Sequence, residues 1–531
     1  VRKHIFFDEE NADAEEQEII EIKHINKASL DAASEIVAQS PDVDNVDNVF
    51  HKHCSSLLAL SSHPYSAFSS FDSWSTEVES LFAVSKLAEA SFGEVYRLSL
   101  LDDIPDFSKA DESVFKIIAL KGPASTHPSD KRKRAALLKR EELMSTPADV
   151  ANEVRLLQRM THIPGFTNFR DIRILQGRPS GPFITAFHDF DKKQRARGKE
   201  GSHFPDPAKK SSYAETQLWA IIEMQDAGSD LERLVEAKQC TSIWGTWDLF
   251  WHTTLALAKG EQGARFEHRD LHLGNICVRN LPGESSITEM EKIGDWLAED
   301  VDMKRKLAFT PLETTIIDYT LSRATLKSID DDGDEDEIED EKNIAYMDLS
   351  RDPAIFQGDS TDEYQYDIYR YMRGVLYHDD AYHDFEANDQ AERNQKADVE
   401  ASPRSWSQYH PQTNLVWLHF ILYMLLEQVI WPSETRAPTK RPGKTNRDEQ
   451  ARHKLRVAKH KRGKQLEAVL LELQAILDPE QICANGVRSA GDLVALAMSE
   501  GWLDLQDVIG RSMELVDGEE ELEVEFEALK L

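Results

Sequence analysis

Cysteine is scarce in this chain: four occur in 531 residues (Cys54, Cys240, Cys277, Cys483), far apart and without a Cys-x-x-Cys pair. That excludes a disulfide framework or a zinc module as the organising device and fits a reducing compartment. Long apolar runs are missing too. The longest, around Leu415 to Ile430, is interrupted by His419 and Glu427 and falls short of the roughly 18 apolar residues of a spanning helix, so no membrane segment is expected. Basic residues are outnumbered, 62 against 96 acidic ones, for a formal charge of −34. Such a chain repels a nucleic-acid backbone unless its few basic clusters are segregated, and it suits a basic protein partner better. No internal repeat marks a solenoid. The chain opens on Val1-Arg2-Lys3-His4 with neither an initiator methionine nor an apolar signal core, and reads as a fragment.

What is present is a folded body with polar inserts. Hydrophobic residues make up 40% and ten tryptophans occur, yet 30% of residues are charged, a balance that predicts a globular core interrupted by disordered segments. Residues 1–73 read as an N-terminal extension without a chemical motif. Alternating runs at Leu81 to Leu87, Glu94 to Leu100 and Ser113 to Leu120 predict a small antiparallel sheet. Val150, Val154, Leu157 and Met160 then recur at helical spacing. Residues 189–213 read as a polar connection to a strand at Gln217 to Met224, so a smaller lobe is expected over 74–224. A mainly helical lobe is expected over 225–433, with helices at Trp244 to Gly260 and Trp417 to Ile430. An acidic insert at 328–342, in which Asp330 to Glu341 holds ten acidic residues in twelve, and a basic insert at 434–464 both read as mobile. Residues 465–531 read as a helical end of the second lobe. The fold class expected is α+β in two lobes.

The sharpest chemical signal is His268-Arg269-Asp270-Leu271-His272-Leu273-Gly274-Asn275. It matches the protein-kinase catalytic loop, where an aspartate takes the proton of the acceptor hydroxyl and an asparagine five positions on ligates magnesium. Downstream, Thr315-Ile316-Ile317-Asp318 ends an apolar run on an aspartate placed to bind a second metal position, although Tyr319-Thr320 follows where Phe-Gly is usual. Upstream, Val114-Phe115-Lys116-Ile117-Ile118 sets a lysine in an apolar strand, where burial is costly without a carboxylate; Glu153 on the following helix is the natural partner. Between Lys86 and Tyr96 lies the position of a phosphate loop, but Ala88 and Ala90 stand where glycines are usual and only Gly93 remains.

Ile316 to Arg323, with Asp-Tyr-Thr for Asp-Phe-Gly, resembles the haspin-type protein kinases. So do His268 to Asn275, Phe356-Gln357-Gly358-Asp359, Tyr364 to Arg370 and Thr413 to Phe420, a likeness spanning residues 74 to 430. The resemblance implies the kinase fold, ATP and Mg²⁺ as cosubstrate and cofactor, and an ordered activation segment without Ala-Pro-Glu, a motif also missing here. It implies as substrate a threonine near the N-terminus of the histone-three tail, with chromatin association and a place on chromosomes in the nucleus during mitosis. Carried over by position, Asp270, Lys116 and Glu153 would be catalytic, and Asn275 and Asp318 would hold metal. Leu87, Ala88, Glu89, Ala90, Ser91, Phe92, Gly93, Val95, Lys116, Met224, Gln225, Asp226, Gly228 and Ile317 would bind nucleotide. Asp230, Glu232, His272, Asp348 and Asp352 would hold the substrate tail.

Two other readings compete. A pseudokinase scaffold on chromatin is favoured by the two alanines and opposed by the retained Lys116, Asp270, Asn275 and Asp318. A small-molecule phosphotransferase shares the aspartate-asparagine loop but not the haspin-like segment. The acidic insert would attract a basic tail electrostatically. The basic stretch suits DNA contact, nuclear import or a solvated linker equally, and oligomeric state stays open.

Overall fold

The computed structural model describes residues 49–62, 68–90, 92–101, 112–280, 301–327, 343–351, 353–361, 363–383, 405–431 and 445–509. The chain divides into two compact units, Val1–Val154 with Phe169–Asp226, and Arg155–Asn168 with Ala227–Leu531. The acidic insert at 328–342 lies outside the described residues, as do Ser91 and Asp352.

The first unit is built on a six-stranded sheet in the order β1-β5-β6-β4-β3-β2, from β1 (Ser69–Ser70), β2 (Phe82–Ala90), β3 (Gly93–Leu100), β4 (Ser113–Leu120), β5 (Phe169–Gln176) and β6 (Leu218–Gln225). All pairs are antiparallel except β1 with β5. β4 is apolar apart from Ser113 and Lys116 and is buried over nearly all its length, as a central strand covered on both faces must be.

Helix α1 (Phe71–Leu81) is capped by Ser70, whose Oγ accepts from Ser73 N at 3.5 Å, and turns Phe71, Trp74 and Val78 inward. Phe71 is fully buried, edge-on to Trp74, Phe183 and Trp219 at 5.4–5.7 Å. Residues 69–73, expected in an extension, thus belong to the sheet and its core: burying so large an aromatic surface outweighs the polar look of the flanking serines. A second correction concerns residues 189–213. Helix α3 (Pro182–Ala196) extends well into the expected polar connection and buries Phe183, Ala186, Phe187 and Phe190. Their i, i+3, i+4, i+7 spacing is that of an amphipathic helix, masked in sequence by a charged outer face. Helix α2 (Pro147–Met160) supplies Glu153 to this unit.

The second unit is mainly helical. Helix α5 (Ile243–Ala264) is capped by Ser242 and ends at Arg265 in a left-handed conformation, φ +45°. Helix α7 (Gln412–Leu426) is apolar almost all round and buried accordingly. With them come α4 (Leu231–Glu236), α6 (Gln365–His378), α8 (Thr445–Ile476) and α9 (Ala490–Ser499). Two small antiparallel sheets carry the loops of interest: β7 (Ser229–Asp230), β8 (Ile276–Asn280) and β9 (Leu312–Ile316), and β10 (Arg323–Thr325) with β11 (Ile344–Tyr346). From Thr445 the basic stretch expected to be a mobile insert is part of α8, one continuous helix of 32 residues. Its Lys, Arg, Gln, Ala and Leu content is strongly helix-forming, and the helix is anchored further along by buried Leu466, Leu470 and Leu473.

Candidate active site

In the first unit Lys116 stands in the middle of β4, opposite Val95 on one side and Ile222 on the other. Its Nζ donates to Glu153 Oε1 at 2.6 Å, and both side chains are buried. A lysine so placed is held extended by its carboxylate within the strand. Gly93 opens β3 where a Cβ would meet Ile118 Cγ1 at 3.0 Å and Lys116 Cγ at 3.4 Å, so the absence of a side chain lets the strand close on β4 beside the lysine.

The segment ahead of Gly93 forms one arm of the β2–β3 hairpin. Ala88 pairs with Val95 and Ala90 with Gly93 inside the β2–β3 ladder, and Leu87 marks a register shift. The alanines therefore occupy ordinary strand positions, and Phe92 is exposed at the turn. Glu89, grouped with the nucleotide-binding residues, has its carboxylate engaged elsewhere. It accepts from Lys86 Nζ at 2.5 Å and from Ser202 Oγ, and it pairs with His203 Nδ1 at 2.6 Å. Lys86 also donates to Glu94 and lies 4.4 Å and 4.9 Å from the ring centroids of Phe187 and Phe190. The sequence carried no local signal for the part of this cluster supplied by α3 and the loop after it, because those residues lie more than 90 positions along the chain.

Along β6, Met224 pairs with Val114 and Phe169, and Gln225 with Ser113. Asp226 just beyond is gripped bidentately by Arg97 of β3, at 2.5 and 3.1 Å. Its carboxylate is thus paired inside the unit, and what Asp226 could offer a nucleotide at this hinge position is its backbone.

In the second unit the catalytic-loop motif is locked by buried bonds. His268 donates through Nε2 to Ile317 O at 3.0 Å and accepts the Asp270 amide at Nδ1 at 3.3 Å. Burial drives its pKa down to about 4, so the ring is neutral and this tautomer persists. Arg269, at φ +65°, is fully buried, bonded to Glu267 through Nε (3.1 Å) and Nη2 (3.0 Å) and to Trp406 O at 2.7 Å. Glu267 in turn accepts from Thr413 Oγ1 at 2.9 Å, and Asn414 receives the His268 amide at 3.0 Å. The Thr413–Asn414 pair thus holds the loop from α7, a role that spacing in the sequence does not reveal.

Asp270 emerges from this scaffold half-buried, its pKa pushed up to about 6 by burial, with the Asp318 charge adding to the rise and His272, Tyr369 and Asn275 opposing it. Asn275 Nδ2 donates to Asp270 O at 2.8 Å, which turns its Oδ1 the other way. Ile317 N bonds Asn275 O at 3.0 Å and so joins the two metal-type residues through the backbone. Asp318 sits at φ +60°, its Oδ1 accepting from Thr320 N at 3.2 Å and Oγ1 at 2.6 Å. Tyr319, fully buried, donates to Ile316 O and accepts from Thr167 N, both at 3.0 Å. Tyrosine and threonine in place of phenylalanine and glycine therefore add bonds that fix Asp318. One amide oxygen and one carboxylate fit magnesium, which takes one or two protein oxygens and completes its shell with phosphate and water.

Of the residues expected to hold a substrate tail, Asp230 caps α4, accepting from Arg233 N at 2.8 Å. The Glu232 carboxylate and the His272 ring both lie about 3 Å from where a Gly274 Cβ would stand, and so flank the catalytic loop together. Asp348 is turned into its own bend, bonding Ser350 Oγ at 2.6 Å and pairing with Arg351 at 3.1 Å. Gly228, at φ +102°, passes so close to Val278 and Arg279 that a side chain would be excluded.

The model of the family described as Haspin like kinase domain matches residues 44–446. The chain is 26% identical over 370 residues to a serine/threonine-protein kinase haspin homolog of Drosophila melanogaster, covering 67% of this chain and 50% of that protein. It is 27% identical over 363 residues to a haspin homolog of Schizosaccharomyces pombe, covering 65% and 56%, and 25% identical over 362 residues to haspin of Bos taurus, covering 68% and 36%. The chain thus spans about half the length, or less, of these relatives. With the family model covering most of the chain, and with the lysine–glutamate pair and the Asp270, Asn275 and Asp318 loops formed, the chain belongs to the haspin-like kinase family.

Proposed function

We propose that the chain is an ATP-dependent serine/threonine protein kinase whose acceptor is a threonine near the N-terminus of the histone-three tail, acting on chromosomes in mitosis. The observation that carries the catalytic part is Asp270, a half-buried carboxylate bonded into one backbone network with Asn275 and Asp318. Asp270 accepts the proton of the acceptor hydroxyl as that oxygen bonds to the γ-phosphorus; the bond from phosphorus to the β–γ bridging oxygen breaks and ADP departs. Lys116, aligned by Glu153, binds phosphate oxygens. Asn275 and Asp318 hold magnesium, which when bound neutralises charge on the phosphates. A net charge of −34 and the carboxylates of Asp230 and Glu232 favour a cationic tail. Chromatin association and the nuclear location rest on the family resemblance.

The test is phosphate transfer from ATP and magnesium to a histone-three tail peptide, comparing the chain with Asp270→Ala and with a peptide lacking the acceptor threonine. Loss of transfer in both supports the proposal. A folded chain that binds the tail but transfers nothing points instead to a scaffold.

A further inference from the structure

Helix α6 places Tyr369 against the catalytic loop. Its hydroxyl donates to Asp270 Oδ1, and its ring is buried, edge-on to Trp417 of α7 at 5.2 Å. Asp270 Oδ2 meets only a long contact from Asn275 Nδ2, at 3.5 Å. The two oxygens are therefore unlike: one is capped by a phenol that packing fixes in place, while the other has no strong donor among the described residues. From this geometry we infer that Tyr369 is a positioning residue of the phosphotransfer, which holds the Asp270 carboxylate in one orientation and leaves Oδ2 as the oxygen that takes the acceptor proton.

The inference rests on Asp270 being the base. The proton of the acceptor hydroxyl goes to Oδ2, and Tyr369 keeps its own, because burial and the neighbouring Asp270 charge raise its pKa well above the ordinary value. Tyr369 is thus a donor throughout the working pH range. The titratable groups facing Asp270 are His272 of its own loop, Asp318 after β9 and Tyr369. His272 and Tyr369 favour the ionised carboxylate and Asp318 opposes it.

The experiment compares kcat and KM of wild type, Tyr369→Phe, Tyr371→Phe and Asp270→Asn in peptide phosphorylation, with thermal melting of each. Tyr371 lies two residues along α6, its hydroxyl 3.5 Å from that of Tyr382, and serves as the packing control. Tyr369→Phe is expected to lower kcat by roughly tenfold or more, the scale of a lost hydrogen bond to a charged group. It should leave both KM values within about twofold, since the bond touches neither substrate. Tyr371→Phe should match wild type. An unchanged kcat in Tyr369→Phe overturns the inference, as does a loss of rate that only follows lowered melting or that comes with KM values raised in step. An active Asp270→Asn chain overturns the base assignment itself, which separates that failure from the failure of Tyr369 alone.

Discussion

Lys86 and Glu94 form a buried ion pair at the root of the phosphate-loop hairpin, with Glu89 as a second carboxylate on the same ammonium. Tyr96 donates to Glu94 at 3.1 Å, and the aromatic rings of α3 close over the lysine. Truncating Lys86 to Met leaves two carboxylates buried beside each other, and breaking a buried pair from one side costs about 3–5 kcal/mol. Denaturant unfolding of Lys86→Met should show a loss of that order. A loss under about 1 kcal/mol would mean that water or rearrangement already relieves the charges.

The pair of Lys116 with Glu153 predicts a loss of transfer in the folded chain when the counter-charge is removed. In Glu153→Gln the ammonium keeps a neutral acceptor but loses its counter-charge, so kcat/KM for ATP should fall by roughly tenfold or more, the scale of a charge-assisted hydrogen bond. Melting should fall as well, because the buried ammonium loses its counter-charge, so the rates are compared at a temperature where both chains are folded. Wild-type kinetics in this variant would remove the pair from the mechanism.

Asp270 sets a pH dependence whose sign is definite. Its ionised form is the base, and burial raises its pKa to about 6, so kcat/KM should drop as pH falls below about 6. In the complex with nucleotide and magnesium the cation favours the carboxylate, and the limb seen in kcat should lie lower than that in kcat/KM. Rate profiles under saturating and limiting substrate measure both. A kcat/KM that stays flat down to pH 5 would assign the proton to another group.

Asp226 supplies a test of carrying site residues over by position. Because Arg97 holds both of its oxygens, Asp226→Asn should weaken that pair and reduce stability by no more than about 1–2 kcal/mol, as expected for a partly exposed pair. The KM for ATP should change less than about twofold, since the carboxylate faces Arg97. A tenfold rise in KM would return Asp226 to the nucleotide site.

The parts of the fold that could be read in sequence were those with local, periodic signals. β3 and β4 follow their expected spans, and the Glu153 helix, Pro147–Met160, contains all four apolar positions whose spacing marked it. β5 and α1 were missed, and α3 was taken for a connection. In α3 a charged outer face hides four buried apolar positions, and in α1 the aromatic residues find their partners on distant strands. At the site, the identities of Lys116, Glu153, Asp270, Asn275 and Asp318 follow from motif spacing, since that chemistry requires particular atoms at short sequence intervals. Tyr369, Arg97, Lys86 and Glu267 carried no such signal, because what each does is set by a partner on another element.

The sequence by itself determined the residue types of a phosphotransfer site and their order along the chain, and with them the haspin resemblance, because such motifs are local. Only the tertiary structure decided which atoms of those residues are committed. It turned Glu89 to Ser202 and His203 and Asp226 to Arg97, and it set the Tyr369 hydroxyl on one oxygen of Asp270. The physical reason is that buried charges and polar groups must find partners wherever packing brings them together, and those partners lie far apart in sequence.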